Sequence, residues 1–188
     1  MGREHSPDRG GHHVRAARRA FCRGPADLTG PQSICALHPV GHGILSVHGT
    51  AVAIAGQGVL IVGPSGAGKS GLAAQLIVQG GGLVCDDMVY LRDAGETLMA
   101  SAPPNAPSLL ELRGIGLVPQ PLVPAAALAL VVSLTASSTR LPQSATFDAL
   151  GHRCPLVRHP YRFDLAAKVL LWLRSLENGA IADGSRRE

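Results

Sequence analysis

The sequence predicts an α/β domain in which a β-rich sheet carries a strand–loop–helix unit and a helix closes the chain. Three observations predict it. The aliphatic run "GVLIV" at 58–62 leads into the glycine-rich "GPSGAGKS" at 63–70, and then into a stretch with helical spacing. Short β-branched and aliphatic segments, separated by turn residues, recur between residues 44 and 101. Residues 164–178 form an apolar-periodic segment with Asp164 as N-cap and Gly179 just past its end.

Each element has its own local reason. "ILSVHGTAVAI" at 44–54 and "GVLIVG" at 58–63 are β-rich, and "AGQG" between them is a turn. The helix over 69–79 has Leu72, Leu76 and Ile77 on one stripe and is ended by the glycines at 80–82. "LVC", "MVYLR" and "TLMAS" are strands, the last two joined by "DAGE". "APPNAP" at 102–107 is a loop before "LLELRGIGL", and "LALVVSL" at 128–134 is a buried strand.

Composition narrows the function classes. The chain has 188 residues, enough for one domain with a proper core and too few for two ordinary ones. Residues 1–40 hold six arginines against Glu4, Asp8 and Asp27, which is +3 of the net +4. That segment is Gly-, Pro- and His-rich without apolar periodicity, so it reads as a disordered basic leader. The domain is expected over 41–180, with a frayed tail at 181–188. Because the positive charge sits in the leader and aromatics are 3% of the chain, a nucleic-acid platform is not expected. The longest apolar run, 122–134, contains Pro124 and is too short for a bilayer, so membrane insertion is not expected. The cysteines Cys22, Cys35, Cys85 and Cys154 form no CxxC pair, which speaks against zinc or a disulfide framework and for a reducing, cytoplasmic setting.

The chemistry concentrates in two motifs. "GPSGAGKS" fits the phosphate-loop pattern G-x-x-x-x-G-K-[ST], through Gly63, Pro64, Ser65, Gly66, Ala67, Gly68, Lys69 and Ser70. Glycines let successive N–H groups turn toward phosphate oxygens, and the following helix adds its positive end. Lys69 would reach the β- and γ-phosphates, and the Ser70 hydroxyl would ligate magnesium. The chain has two lysines, Lys69 and Lys168, so a lysine at the demanded position is not an accident of composition. Asp86 and Asp87 end the apolar "LVC" segment, Asp87 lying seventeen residues beyond Ser70. If that strand lies beside the glycine-loop strand, one carboxylate could serve the metal and the other could take a proton from an attacking hydroxyl. A polar turn between strands is the plainer alternative. Adjacent carboxylates repel unless cations neutralise them, which suits a metal–nucleotide site better.

With "SVHG", "LVCDD" and "LLELRGIGL" added, residues 45–118 resemble the HPr kinase/phosphorylases, in the truncated alphaproteobacterial form that keeps only the catalytic domain. The resemblance implies a phosphate-loop kinase domain. It implies ATP-dependent phosphorylation of a serine on an HPr-type phosphocarrier of a bacterial phosphotransferase system, reversible with inorganic phosphate. It places Ser70 and Glu111 on Mg2+, Asp87 as proton acceptor and, in reverse, donor, with Asp86 as its pair. His48 matches the family's active-site histidine, and Arg113 falls in the segment used in both directions. Family members are commonly hexamers.

Two departures stand out. The residue after the loop serine is usually acidic in the family and is Gly71 here, so an acidic substitution is expected to strengthen magnesium–nucleotide binding. The family's later "P-G-R-N" arginine has no match in "PYRFDLAAK", where neither Arg162 nor Lys168 can be assigned to its role. A small-molecule phosphate-loop kinase and a nucleotide-binding regulator without turnover are the competing readings.

Overall fold

The structure, a computed structural model, describes residues 34–135 and 144–177. Four strands, β1 (Leu37–Gly41), β2 (Ile44–His48), β3 (Thr50–Ile54) and β4 (Gln57–Val62), precede helix α1 (Lys69–Val78). β5 (Gly82–Cys85), β6 (Met88–Asp93) and β7 (Leu98–Ser101) follow, and then the hairpin of β8 (Leu109–Leu112) and β9 (Gly116–Pro119). β10 (Ala125–Ser133), β11 (Ala145–Ala149), β12 (His152–Arg158) and helix α2 (Leu165–Glu177) complete the order.

The main sheet runs β1-β2-β6-β7-β10-β4-β3-β5, with β12 also on β10 and β11 on β12. β10 joins its two halves. Residues 125–127 pair antiparallel with β7, whereas residues 128–133 pair parallel with β4, and the last three also pair parallel with β12. The ladder with β4 shifts register between Leu128 and Leu130, at the changeover. The halves then face one another: Val47, Val89 and Leu91 share a core with Ala51, Leu60 and Val62. The opposite face of β4 and β10, through Val59, Ile61, Leu130 and Val132, packs on Leu72 and Leu76 of α1 and Leu165, Val169 and Leu173 of α2. Strands covered on both faces need apolar residues at every position, which is why "VLIV" and "LVV" do not alternate.

α1 ends as its glycines require. Gly80 takes φ +98°, its N–H donates to Ile77 O, and the Gly81 N–H donates to Leu76 O, closing a Schellman turn. Asp164 occupies the N-cap of α2, its carbonyl accepting the Lys168 N–H at 3.1 Å. Its carboxylate, however, takes the Lys168 ammonium at 2.8 Å, and that bond lowers the Asp164 pKa.

Several expectations need correction. β1 starts at Leu37, inside the segment assigned to the leader, and pairs with β2, so the folded part begins before residue 41. Ile34 and Cys35, in the same segment, also pack against the core, whereas residues 1–33 and the tail at 181–188 lie outside the described residues. "ILSVHGTAVAI" is two strands, broken at Gly49, because β2 belongs to one half of the sheet and β3 to the other. The β11–β12 hairpin had no recognisable signal. Its turn is Leu150 and Gly151 at φ +51° and +78°, where the first position rarely holds leucine, and Pro155 lies within the second strand. The helical and turn assignments elsewhere match, including the "DAGE" turn, where the Ala94 N–H donates to Thr97 O.

Candidate active site

The glycine-rich loop leaves the end of β4 and enters α1 at Lys69. Gly68 is the helix N-cap at φ +100°, a left-handed conformation suited to glycine, and no side chain caps the first turn. The first turn also holds no acidic residue. Its orphan N–H groups and the positive end of the helix therefore face the loop opening. Lys69 is only 9% exposed; its ammonium donates to Gly63 O at 3.1 Å and to Pro64 O at 3.2 Å. The cation is folded over the loop it serves, while Pro64, Ser65 and Gly66 remain exposed.

β5 does not lie beside β4, as the sequence reading supposed; β3 stands between them. Because β3 is antiparallel to both, β5 still runs parallel to β4, and both point their C-terminal ends the same way. The two carboxylates at that end differ. Asp86 is held: Oδ1 accepts the Thr50 hydroxyl at 2.7 Å and Oδ2 accepts the Glu111 N–H at 3.3 Å. Asp87 is exposed, sits at φ +68°, and makes no side-chain hydrogen bond among the described residues. A non-glycine residue at that φ is uncommon, and aspartate is among those that tolerate it. The turn is kept by Met88 N–H to Asp86 O at 2.9 Å and Gly49 N–H to Asp87 O at 3.1 Å.

His48, at the exposed end of β2, pairs in register with Met88, next to Asp87. The β8–β9 hairpin brings Glu111 and Arg113. Leu110 buries in the helix-side core, which fixes β8 against α1 and leaves Glu111 exposed. Arg113 reaches over the glycine-rich loop: a Cβ built on Gly66 would lie 3.2 Å from its Nη1. Among the described residues no ion pair joins Glu111 to Arg113.

The structure therefore brings Lys69, Ser70, Asp86, Asp87, Glu111, Arg113 and His48 to one end of the sheet. Two residues escaped the sequence reading. Thr50 was hidden because a buried threonine in a strand looks like any β-branched residue, and only the fold shows that it meets Asp86. Tyr161 lies across Gly68 and Gly71; a Cβ on Gly71 would stand 3.0 Å from its hydroxyl and 3.1 Å from Cζ. The phenol thus occupies space that an acidic side chain at 71 would need, which weighs against the expected benefit of that substitution. Lys168 is engaged with Asp164 and, at 3.4 Å, with His159 Nε2.

Burial pushes the Cys85 thiol up from the ordinary 9.0 to about 11; its bond to Met88 O opposes the rise, and the charges of Asp86 and Asp87 add to it. A thiol so raised is no nucleophile at neutral pH.

A model of the HPr serine kinase C-terminal domain matches residues 43–152, well over half of the chain. The chain belongs to that family. The HPr kinase/phosphorylase of Listeria welshimeri is 47% identical over 76 residues, 40% of this chain and 24% of that protein. That of Nitrosomonas europaea is 49% identical over 72 residues, 38% of this chain and 22% of that protein. The matched region spans about a quarter of the length of these curated relatives. The solved HPr(Ser) kinase/phosphatase from Coxiella burnetii superposes with a TM-score of 0.63 at 27% identity, over 71% of this chain and 91% of that one. Like it, this chain has a mixed α/β fold with a large sheet and a C-terminal helix. Among the described residues no helix is long and apolar enough to cross a membrane.

Proposed function

We propose that the chain is an ATP-dependent serine kinase acting on an HPr-type phosphocarrier protein, and that it also removes the phosphoryl group by phosphorolysis, inorganic phosphate taking it up as pyrophosphate. The observation that carries the proposal is the meeting, at one end of the sheet, of the Lys69 loop, the Asp86–Asp87 pair and the hairpin of Glu111 and Arg113. The family and the names of its relatives support the same reading.

The donor set fits a magnesium nucleotide. The uncapped first turn of α1 and the Lys69 ammonium suit a polyphosphate. The oxygens of Ser70 and Glu111 suit a hard cation. Among the described residues no cluster of three or more His, Cys, Asp or Glu side chains could hold a metal unaided, which agrees with an ion held largely by phosphates and water. Bound ATP and Mg2+ would supply the phosphoryl group and neutralise its charge. Residues 63–70 would bind the phosphates, and Ser70 and Glu111 would hold the metal.

The difference between the carboxylates assigns their roles. Asp86, bonded to Thr50 and to the Glu111 N–H, ties three strands together and keeps its neighbour in place. Asp87, exposed and unbonded, takes the proton of the incoming serine hydroxyl. The serine oxygen bonds the γ-phosphorus as the bond to ADP breaks, and Lys69 and Arg113 stabilise the charge on the phosphoryl oxygens. In the dephosphorylation, an oxygen of inorganic phosphate bonds the phosphoserine phosphorus as its bond to the serine oxygen breaks, Asp87 returns the proton to that oxygen, and pyrophosphate leaves. His48, beside this turn, orients phosphate or tunes Asp87.

A protein substrate is favoured over a small molecule by the surroundings. Ile115 (78% exposed) and Leu117 extend the hairpin of Arg113, Phe163 (90% exposed) follows Tyr161 by two residues, and the exposed Met88 adjoins Asp87. Apolar side chains left in water around a site suit a macromolecular partner.

The test is labelled ATP, Mg2+ and an HPr carrier, followed by phosphate-dependent release of the label. The parent chain should label one serine. Asp87→Asn should lose both directions together, by about two to four orders of magnitude, the usual worth of a positioned base. Retained forward transfer with loss of the reverse alone would overturn the shared acid/base. ATP binding without any labelled carrier would favour the regulator without turnover.

A further inference from the structure

Tyr161 stands where two departures from the family pattern meet. Position 71 has no side chain, and the segment 159–164 lacks the arginine motif. In the fold, the second covers the first. A Cβ built on Gly68 would fall 2.6 Å from Tyr161 Cγ and 2.9 Å from its Cβ and Cδ1. At the far end of the ring, a Cβ on Gly71 would fall 3.0 Å from the hydroxyl, 3.1 Å from Cζ and 3.6 Å from Cε2. The ring thus spans the first turn of α1 from its N-cap to its third residue, with Ser70 between the two contacts. Neither glycine can be replaced without moving the tyrosine.

The segment that carries Tyr161 is fixed at both ends. On one side the His159 N–H donates to Ser133 O at 3.0 Å, which ties the exit of β12 to the end of β10. His159 Nδ1 lies 2.6 Å from Pro160 O. On the other side Arg162 O accepts the Leu165 N–H at 3.1 Å as α2 begins, and Leu165 is buried in the core shared with Leu72 and Leu76. A ring delivered by so tethered a segment stiffens the backbone it touches. Gly68 at φ +100° and Gly71 are the two most permissive residues of that turn, and without a brace they would leave it loose.

We propose that Tyr161 is a positioning residue for the nucleotide: its ring braces residues 68–71 and so fixes the direction of the Ser70 hydroxyl and of the first-turn N–H groups. The inference rests on the reading of this loop as a nucleotide site. It makes Gly71 and Tyr161 one device, in which packing replaces the acidic side chain that the family pattern places there.

The test measures ATP and ADP affinity by calorimetry, with and without Mg2+, together with KM and kcat for carrier phosphorylation and a thermal melt of each variant. Tyr161→Phe keeps the ring and should bind within about twofold of the parent, whereas Tyr161→Ala should weaken nucleotide binding about tenfold, as expected when preorganisation is lost. The KM for ATP should rise while the KM for the carrier stays unchanged, a split that general destabilisation would not produce. Gly71→Glu should weaken binding in the parent, because it displaces the ring, and strengthen it in the Tyr161→Ala background, where the space is open. If Tyr161→Ala does not fold, Gly71→Ala decides, since it presses on the phenol from the other side and should also weaken binding. Parent-like affinity in Tyr161→Ala or, where that variant is unfolded, in Gly71→Ala overturns the proposal. So does the same effect of Gly71→Glu in both backgrounds. A parent chain that binds no nucleotide would instead overturn the reading on which the proposal rests. Nucleotide binding without carrier phosphorylation would leave the brace standing and remove only the kinase.

Discussion

The two halves of the sheet are built on different terms. In the parallel half, β12, β10 and β4 lie between the helices and the facing strands, and Val59, Leu60, Ile61, Val62, Leu130, Val131 and Val132 are wholly buried. In the antiparallel half, β1 is an edge strand whose last four residues are exposed, and β6 alternates between buried and exposed positions over much of its length. The parallel half carries the glycine-rich loop and its lysine. The antiparallel half carries His48 and borders the turn that presents Asp87. Under the proposed function, the site would join a rigid support for the phosphates to a more exposed rim open to a partner. Rigidity sits where charge must be positioned, and exposure where another molecule must approach.

The comparison can be broken most sharply at Lys69. Lys69→Ala should abolish transfer, by about a thousandfold or more, because preorganised charge at a phosphoryl group is worth several kcal/mol. It should leave the fold intact, since what the side chain gives up is two hydrogen bonds to its own loop. Transfer at the parent rate would show that the parallel half does not house the site.

Stability should divide along the same line. Leu130→Ala, at a fully buried position between the helices and the opposing strands, should cost about 2–5 kcal/mol by denaturant unfolding. Val40→Ala, on the edge strand and 44% exposed, should stay within about 0.5 kcal/mol. Equal costs would mean that the halves are not the distinct packing environments described above.

The smallest effect concerns the buried thiols. Burial raises Cys35, Cys85 and Cys154 to about 11, so the folded chain holds these protons more tightly than the unfolded chain, whose thiols titrate near 9.0. The sign follows: their contribution to stability is fully present below pH 9 and falls as pH rises from about 9 toward 11. Alkylation at pH 7.5 should be slow at these three cysteines and accelerate on unfolding. Rapid labelling of Cys85 in the folded chain would show that the end of β5, beneath the Asp87 turn, opens readily.

How legible each part was follows from the range of the interactions that make it. The glycine-rich loop, α1 with its closing turn, and the buried strands β4 and β10 could be read because their signals are local: backbone conformation, helical spacing and uninterrupted apolar runs. β11–β12 could not, because its turn begins with leucine and its second strand contains proline. The hairpin is held to the sheet by the pairing of residues 156–158 with β10, a long-range contact that no local pattern reveals. β1 was likewise absorbed into the basic leader, since an edge strand exposed at four of its five positions carries little apolar pattern.

The site shows the same division. Sequence alone determined which chemical groups are available: a loop able to bind phosphate, a lysine in place, paired carboxylates, and an Arg–Gly hairpin with a glutamate two residues before it. Their roles depended on neighbours distant in the chain. Thr50 and the Glu111 N–H hold Asp86 and leave Asp87 free, β3 intervenes yet restores a parallel direction to β5, and Tyr161 closes the space beside Gly71. Local sequence sets conformational preference and chemical type, because both arise within a few bonds. Which of two adjacent carboxylates is tethered, and whether a vacant position is truly empty, are set by atoms that only folding brings within hydrogen-bonding or van der Waals range.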